Sequence, residues 1–290
     1  MVITAKSKSF KSTIALIMLV GLLLESNIMM DNLGLCFDPN VHKENVIYYD
    51  CEQSKFTFHS RIRKELHNVG ITHNPVNLKA YHKRAANIED RMEALKVQIE
   101  HFKPRAIILD GLADFVASVN DETECNKLVA ELLGLADKYN CAIITIIHEN
   151  PFNTKMRGHL GSAVERKCEA VMGIEVNKET GDYCIEMKTA RNFQAGVKTY
   201  FRFDEGKGRP VSVNESEVKS ALNQKKTVDL KQIFGEDEKL NYKTLCERIM
   251  DHNRIKIDAA KKRVQKYRDA GLISKNEDDT YFIVDHCGDK

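Results

Sequence analysis

The octapeptide Ala5-Lys-Ser-Lys-Ser-Phe-Lys11-Ser12 places Lys11 and Ser12 at the spacing GxxxxGK[ST] of a phosphate-binding loop, with Ala5 and Phe10 in place of its two glycines. Such a loop needs a strand-to-helix turn whose amides face phosphate, a lysine for the terminal phosphate oxygens and a hydroxyl for Mg²⁺. Lys11 and Ser12 supply the last two, while Lys6, Ser7, Lys8, Ser9 and Thr13 complete the cradle. Glycine normally relaxes the turn. A positive φ at Ala5 is expected to cost on the order of 1 kcal/mol, which a folded domain tolerates. Taken alone, the octapeptide reads equally well as a basic turn ahead of a core helix.

Three further residues stand where strands end. Asp110 closes the apolar run Ile107-Ile108-Leu109, the arrangement of an acid that holds Mg²⁺. Glu52 lies just past Tyr48-Tyr49-Asp50-Cys51, and His148 follows the apolar run Ala142–Ile147. Open α/β sheets bind ligands beyond the carboxyl ends of their strands, so the four positions belong to one candidate site. Each also has a structural reading: a capping Asp, a solvated strand-end Glu, a hydrogen-bonded core His.

The elements that must position these residues follow from hydrophobic periodicity. Helices are expected from Ser12 to about Asn27, near 56–68, over Ile88–Phe102 and over Glu124–Tyr139. Between them lie apolar strands at Asn45–Tyr49, Ala106–Leu109 and Ala142–Ile147. Strands that are apolar throughout and alternate with helices predict an α/β fold with a mostly parallel sheet covered on both faces. Runs near Ala170–Val176 and Tyr183–Lys188 around Lys178-Glu179-Thr180-Gly181-Asp182 predict a hairpin, with a last strand at Thr199–Phe203. The polar stretch 206–229 reads as a linker between a first domain, 1–205, and a second, 230–290.

The second domain changes character. Helices are followed by a short strand pair, Leu272–Ser274 and Thr280–Val284, the order of a winged helix. Between Lys256 and Arg268 stand six basic residues, Lys261, Lys262, Arg263 and Lys266 among them, against the single acid Asp258. Ala259, Ala260, Val264 and Tyr267 are expected to face Leu245, Ile249 and Leu272, which turns the charges outward where a recognition helix meets DNA phosphates. The hairpin turn carries Glu277, Asp278 and Asp279, so the helix rather than the wing would hold DNA. A solvated helix of a protein-binding module is the competing reading.

Composition sets the bounds. With 290 residues, 42% of them hydrophobic, the chain can build one large domain and a small one. A net charge of +2 means any nucleic-acid surface is local. No two of the eight cysteines, Cys287 among them, form a CxxC pair, a usage expected of free thiols in a reducing cytoplasm rather than of a zinc site. Lys6, Lys8 and Lys11 ahead of the apolar run Ile14–Leu24 resemble a secretory signal. That run is shorter than the ~20 residues a membrane span needs, however, and no small-residue cleavage site follows it. A buried helix after a phosphate loop, in a cytoplasmic protein without membrane contact, is the expectation.

The stretches Ala5–Thr13, Val46–Ser54, Ala106–Asp114, Ile143–Asn150, Met156–Glu165 and Met187–Gly196 together resemble the RecA/DnaB-like P-loop ATPases. They look most like the RepA-type hexameric helicases and the AAA ATPases of bacterial mobile elements, of the mobilizable-transposon excision type. The resemblance covers about the first 205 residues and implies a RecA-like core that binds ATP and Mg²⁺. Glu52 would be the general base, Ser12 and Asp110 the Mg²⁺ ligands, and His148 the γ-phosphate sensor. Lys188 and Arg191 would be fingers reaching a neighbouring subunit's ATP in a ring, a hexamer in that family, and Arg157 a DNA contact. The implied function is a DNA-associated, helicase-like motor of a mobile element. The alternative is a non-motor DNA-binding regulator whose glycine-free loop only binds nucleotide or mediates oligomerisation. The family carries more chain ahead of its phosphate loop, so the first strand is expected to be imperfect.

Overall fold

The computed structural model describes residues 1–26, 31–150, 152–192 and 194–284. Asn27, Phe193 and Cys287 lie outside them. The chain forms two compact units, one of Met1–Asn177 with Gly181–Val213, the other of Lys178–Thr180 with the chain from Asn214 onward.

In the first unit the elements run β1 (Val2–Ala5), α1 (Lys11–Leu23), β2 (Val46–Asp50), α2 (Lys55–Asn68), β3 (Leu78–His82), α3 (Ile88–Phe102) and β4 (Ala106–Asp110). After a 3₁₀ turn at Leu112–Phe115 come α4 (Glu122–Tyr139), β5 (Ala142–His148), α5 (Gly158–Lys167), β6 (Ala170–Val176), β7 (Tyr183–Ala190), β8 (Lys198–Asp204) and β9 (Arg209–Val213). All nine strands join one sheet in the order β3-β2-β4-β5-β1-β6-β7-β8-β9. The first six are parallel and β7 to β9 continue the sheet as an antiparallel meander.

Residues of the parallel strands alternate between two cores, as strand geometry requires. Val46, Tyr48, Ala106 and Ile108 pack with α1 and α2, whereas Ile47, Tyr49, Ile107 and Leu109 pack with α3, α4 and α5. Both faces are therefore covered, and each strand reads as a continuous apolar run. The first strand is not imperfect: β1 pairs along its whole length with β5 on one side and β6 on the other. Helix α1 has ten of its thirteen residues buried, which accounts for its signal-like apolarity. Among the described residues no helix is long and apolar enough to cross a membrane.

The linker expected over 206–229 is not one. Residues Arg209–Val213 form β9 on the sheet edge, and α6 (Glu215–Phe234) takes up the rest. Most of α6 is polar and solvated, and only Val218, Leu230, Ile233 and Phe234 are buried, so it carries little hydrophobic periodicity to read.

The second unit continues with β10 (Leu240–Asn241), α7 (Tyr242–Asn253), α8 (Ile257–Asp269), β11 (Ile273–Lys275) and β12 (Thr280–Ile283). Its three strands pair antiparallel in the order β10-β12-β11. Leu245, Ile249, Ala260, Val264, Tyr267 and Leu272 share its core. Ala259 does not face that core as expected; it is exposed on the outer side of α8.

Candidate nucleotide site

Parallel pairing places the carboxyl ends of β2, β4, β5 and β1 side by side. Asp50 pairs with Asp110, and Ala5 with His148, so the turns beyond these residues open onto one edge of the sheet. There a cleft of about 330 Å³ is lined by Lys8–Thr13 together with Glu52, Arg61, Asp110, Ile146 and His148. The four residues expected at strand ends thus meet in one place.

The loop between β1 and α1 adopts a left-handed conformation at two residues, Lys8 with φ 62° and Phe10 with φ 60°. The strain expected at Ala5 is absent, because Ala5 is the last residue of β1. It falls instead at the second glycine position. A non-glycine residue there costs on the order of 1–2 kcal/mol. Phe10 offsets that cost by packing. Its ring meets Tyr183 edge-on at 4.9 Å and Phe201 edge-on at 6.0 Å, and stacks on Phe203 at 5.6 Å. Aromatic pairs contribute roughly 0.5–1.5 kcal/mol each, the same order as the strain they accompany.

Helix α1 begins at Lys11 with no side-chain cap and no acid in its first turn, leaving its amino-terminal amides open to an anion. The Lys11 ammonium, itself buried, donates to the carbonyls of Ala5 (3.2 Å) and Lys6 (2.7 Å). Burial pushes its pKa down, while Glu52, Asp110 and Glu149 pull it back.

Asp110 is 1% exposed, and burial raises its carboxyl pKa to about 6 against the opposing pull of the Ser12 hydroxyl. Its Oδ2 accepts from the Tyr48 hydroxyl at 3.1 Å, whereas its buried Oδ1 has no hydrogen-bond partner among the described residues. An orphaned buried carboxylate oxygen beside a serine hydroxyl is a donor set that fits Mg²⁺, which takes one or two carboxylates plus phosphate oxygens.

Glu52 lies 3.6 Å from His148 Nε2. That ring, with Lys11, holds the Glu52 carboxyl below the usual carboxylate range despite partial burial. Glu52 is held in turn by Asp50, whose Oδ1 accepts from the backbone amides of Glu52 (3.0 Å) and Gln53 (2.8 Å) while Oδ2 accepts from the Gln53 side chain (2.6 Å). The buried Asp50 thereby fixes the turn that presents Glu52 to the cleft.

Besides Asp50, two further residues that sequence reading missed complete the site. Arg61 on α2 reaches the pocket, donating to Thr13 Oγ1 (2.7 Å) and Gln53 Oε1 (2.9 Å). Nothing in its local sequence separates it from its neighbours Arg63 and Lys64. Glu149 follows His148, is 5% exposed, and donates its amide to the Ala5 carbonyl (3.0 Å).

Glu149 also partners Lys188, the residue expected as a finger. Lys188 Nζ lies 2.9 Å from Glu149 Oε1 and 3.2 Å from Glu175 within its own chain. Its stem crosses Gly173, where a Cβ would push the end of the lysine side chain aside. Arg191 lies elsewhere, just beyond Ala190, which pairs with Ala170 at the end of β6 remote from the phosphate loop. Arg191 donates to the carbonyls of Arg166 and Cys168 at the carboxyl end of α5. Arg157 is exposed at the start of α5, with its amide bonded to the His148 carbonyl at 3.0 Å.

A parallel sheet flanked by helices, with a phosphate loop at the carboxyl end of its central strand and two strand-end acids beside it, defines a P-loop nucleotide-binding fold. A family model for the AAA domain matches residues 1–151, more than half of the chain, and the protein belongs to that family of ATPases. No curated protein matches the chain.

Proposed function

We propose that the protein binds ATP with Mg²⁺, hydrolyses it, and couples hydrolysis to DNA through its C-terminal unit. The observation that carries this reading is the meeting of Lys11, Glu52, Asp110 and His148 in one cleft beside an uncapped helix amino terminus. Lys11 and the first-turn amides of α1 bind the β- and γ-phosphates. Ser12 and Asp110 would hold Mg²⁺, which when bound would neutralise charge on the phosphate oxygens. Glu52, ionised at neutral pH, orients a water for in-line attack and accepts its proton. His148, beside Glu52, contacts the γ-phosphate and reports its loss.

The C-terminal unit supports the DNA half of the proposal. Helix, strand, helix, helix and hairpin, in that order, make a winged-helix-like module. On α8, Lys261, Lys262 and Lys266 are exposed and Arg263 is half-buried, while Ala260, Val264 and Tyr267 hold the helix to the core. Glu277 and Asp278 keep the hairpin turn acidic, and Asp279 pairs with Lys275, so the contact would fall on α8. Arg157 would add a contact from the ATPase unit. Arg191, remote from its own phosphate loop, would serve a neighbour's, which favours a head-to-tail ring.

ATP turnover measured with and without single-stranded DNA tests the proposal. Hydrolysis that DNA accelerates supports the motor. Nucleotide binding without turnover under both conditions would leave the non-motor regulator, the reading that the replaced glycine at Phe10 favours. Replacing Lys262 and Lys266 by Ala should weaken DNA binding across all sequences. The slope of log affinity against log salt should become shallower by roughly 0.9 for each DNA phosphate no longer neutralised.

A further inference from the structure

The phosphate loop of this chain keeps the backbone that a glycine would give, yet has a phenylalanine there. Phe10 is the residue immediately before α1, at φ 60° and ψ 12°, and its side chain points away from the cleft's acids onto β7 and β8. Its three partners come from a single patch of the sheet. Tyr183 on β7 and Phe201 on β8 are register partners whose rings stack at 5.0 Å, and Phe203 stands two residues along β8 on the same face. Phe201 is fully buried, Phe10 and Tyr183 are half-buried, and Phe203 forms the outer wall at 44% exposure. Ser9, the residue between the two left-handed positions, is buried as well.

A glycine at this position would reach φ 60° freely, but would also leave it freely. A phenylalanine stays only while its ring is held. We infer that Phe10 is a positioning residue: its ring, clasped by Tyr183, Phe201 and Phe203, holds the phosphate loop in its binding conformation before nucleotide arrives. The antiparallel extension of the sheet thereby sets the conformation of a loop whose chemistry is done on the other side of β1. This rests on the reading of the cleft as a nucleotide site. The loop geometry itself can be tested without any nucleotide.

The test is a double-mutant cycle in the full chain, combining Phe203→Ala with Phe10→Gly. Two readouts are taken: the affinity for a fluorescent ATP analogue, and the rate of tryptic cleavage after the exposed Lys6 and Lys8 in the nucleotide-free protein. In the Phe10 background, Phe203→Ala should weaken ATP binding roughly tenfold and speed loop cleavage by about the same factor. In the Phe10→Gly background the same substitution should change each by less than about twofold, because no ring remains to be held. Phe203→Leu, which keeps more apolar bulk than alanine and loses the stacking, serves if the alanine variant fails to fold.

Equal effects of Phe203→Ala in both backgrounds, or no effect in either, would overturn the inference. Coupling in loop cleavage but none in ATP affinity would overturn the positioning role. Coupling in cleavage alongside a wild-type chain that binds no nucleotide would support the aromatic clasp and sink the nucleotide reading.

Discussion

The two flanks of the phosphate loop are built from opposite materials. On the side of β2, β4 and β5 the strand ends present Asp50, Glu52, Asp110, His148 and Glu149, most of them buried and linked by hydrogen bonds and ion pairs. On the side of β7 and β8 the loop meets a cluster of rings: Tyr183, Phe201 and Phe203 around Phe10. In the proposed reading the first flank would supply charge where phosphate and water react. The second supplies shape, and it stands where substitution can alter the loop without touching an ionisable group of the cleft. If the proposed clasp holds, a loop can lose its glycines and keep its backbone by importing rigidity from a neighbouring sheet extension.

Four substitutions bear on that contrast. The largest effect is expected from outside both flanks. If Arg191 acts on a neighbour, Arg191→Ala should lower turnover by on the order of 10³-fold or more with ATP affinity nearly unchanged. Mixing it with Glu52→Gln chains should restore some activity, as steady-state assays of mixed and unmixed proteins would show. Full turnover by a monomer would remove the ring. Glu52→Gln itself should cost roughly 10²–10³-fold in single-turnover hydrolysis while ATP affinity stays within about threefold, since only the base is lost. Hydrolysis near the wild-type rate would mean that the chemistry lies elsewhere on the polar flank.

Lys11→Ala should weaken binding of a fluorescent ATP analogue by roughly 100-fold, with an unchanged circular-dichroism spectrum. Unchanged affinity in that folded variant would dissolve the polar flank as a phosphate site. The smallest effect is expected from Tyr48→Phe. It removes the hydroxyl that bonds Asp110 Oδ2 at 3.1 Å and Asp50 Oδ2 at 3.4 Å, and should cost about five- to tenfold in Mg²⁺-dependent nucleotide affinity. Titration of the variant with Mg²⁺ at fixed nucleotide checks it; an unchanged midpoint would show that Tyr48 only fills space.

The strands that are buried on both faces are legible as apolar runs, and so are the acids and the histidine that close them. The edges are not. In β3, Leu78-Lys-Ala-Tyr-His82 is half-buried throughout and carries no clean alternation. In β9, Pro210 argues against a strand, although the edge of a sheet tolerates it. Within the site, Lys11, Glu52, Asp110 and His148 announce themselves by position. Arg61, Asp50 and Glu149 do not, because their roles are conferred by partners brought in by the fold: Thr13 for Arg61, the Glu52 amide for Asp50, Lys188 for Glu149. The place of Lys188 in its own chain is set by Glu149 in the same way. Phe10 stands out as a departure from the glycine pattern, but the rings that make it tolerable lie more than 170 residues away in sequence.

Gly111, the residue after Asp110, holds an extended backbone at φ −167°, which any residue could adopt. What a side chain there would lack is room: a Cβ would stand 2.5 Å from Glu52 Oε1 and 2.8 Å from Asp114 Oδ2. The main chain therefore acts as a fence on one side of the Glu52 carboxylate. Asp50 accepts from the Glu52 amide behind it, and His148 stands on its other side. Gly111→Ala would therefore push the Glu52 and Asp114 carboxylates aside while removing no charge, and if Glu52 is the base proposed above, turnover should fall while nucleotide affinity is kept.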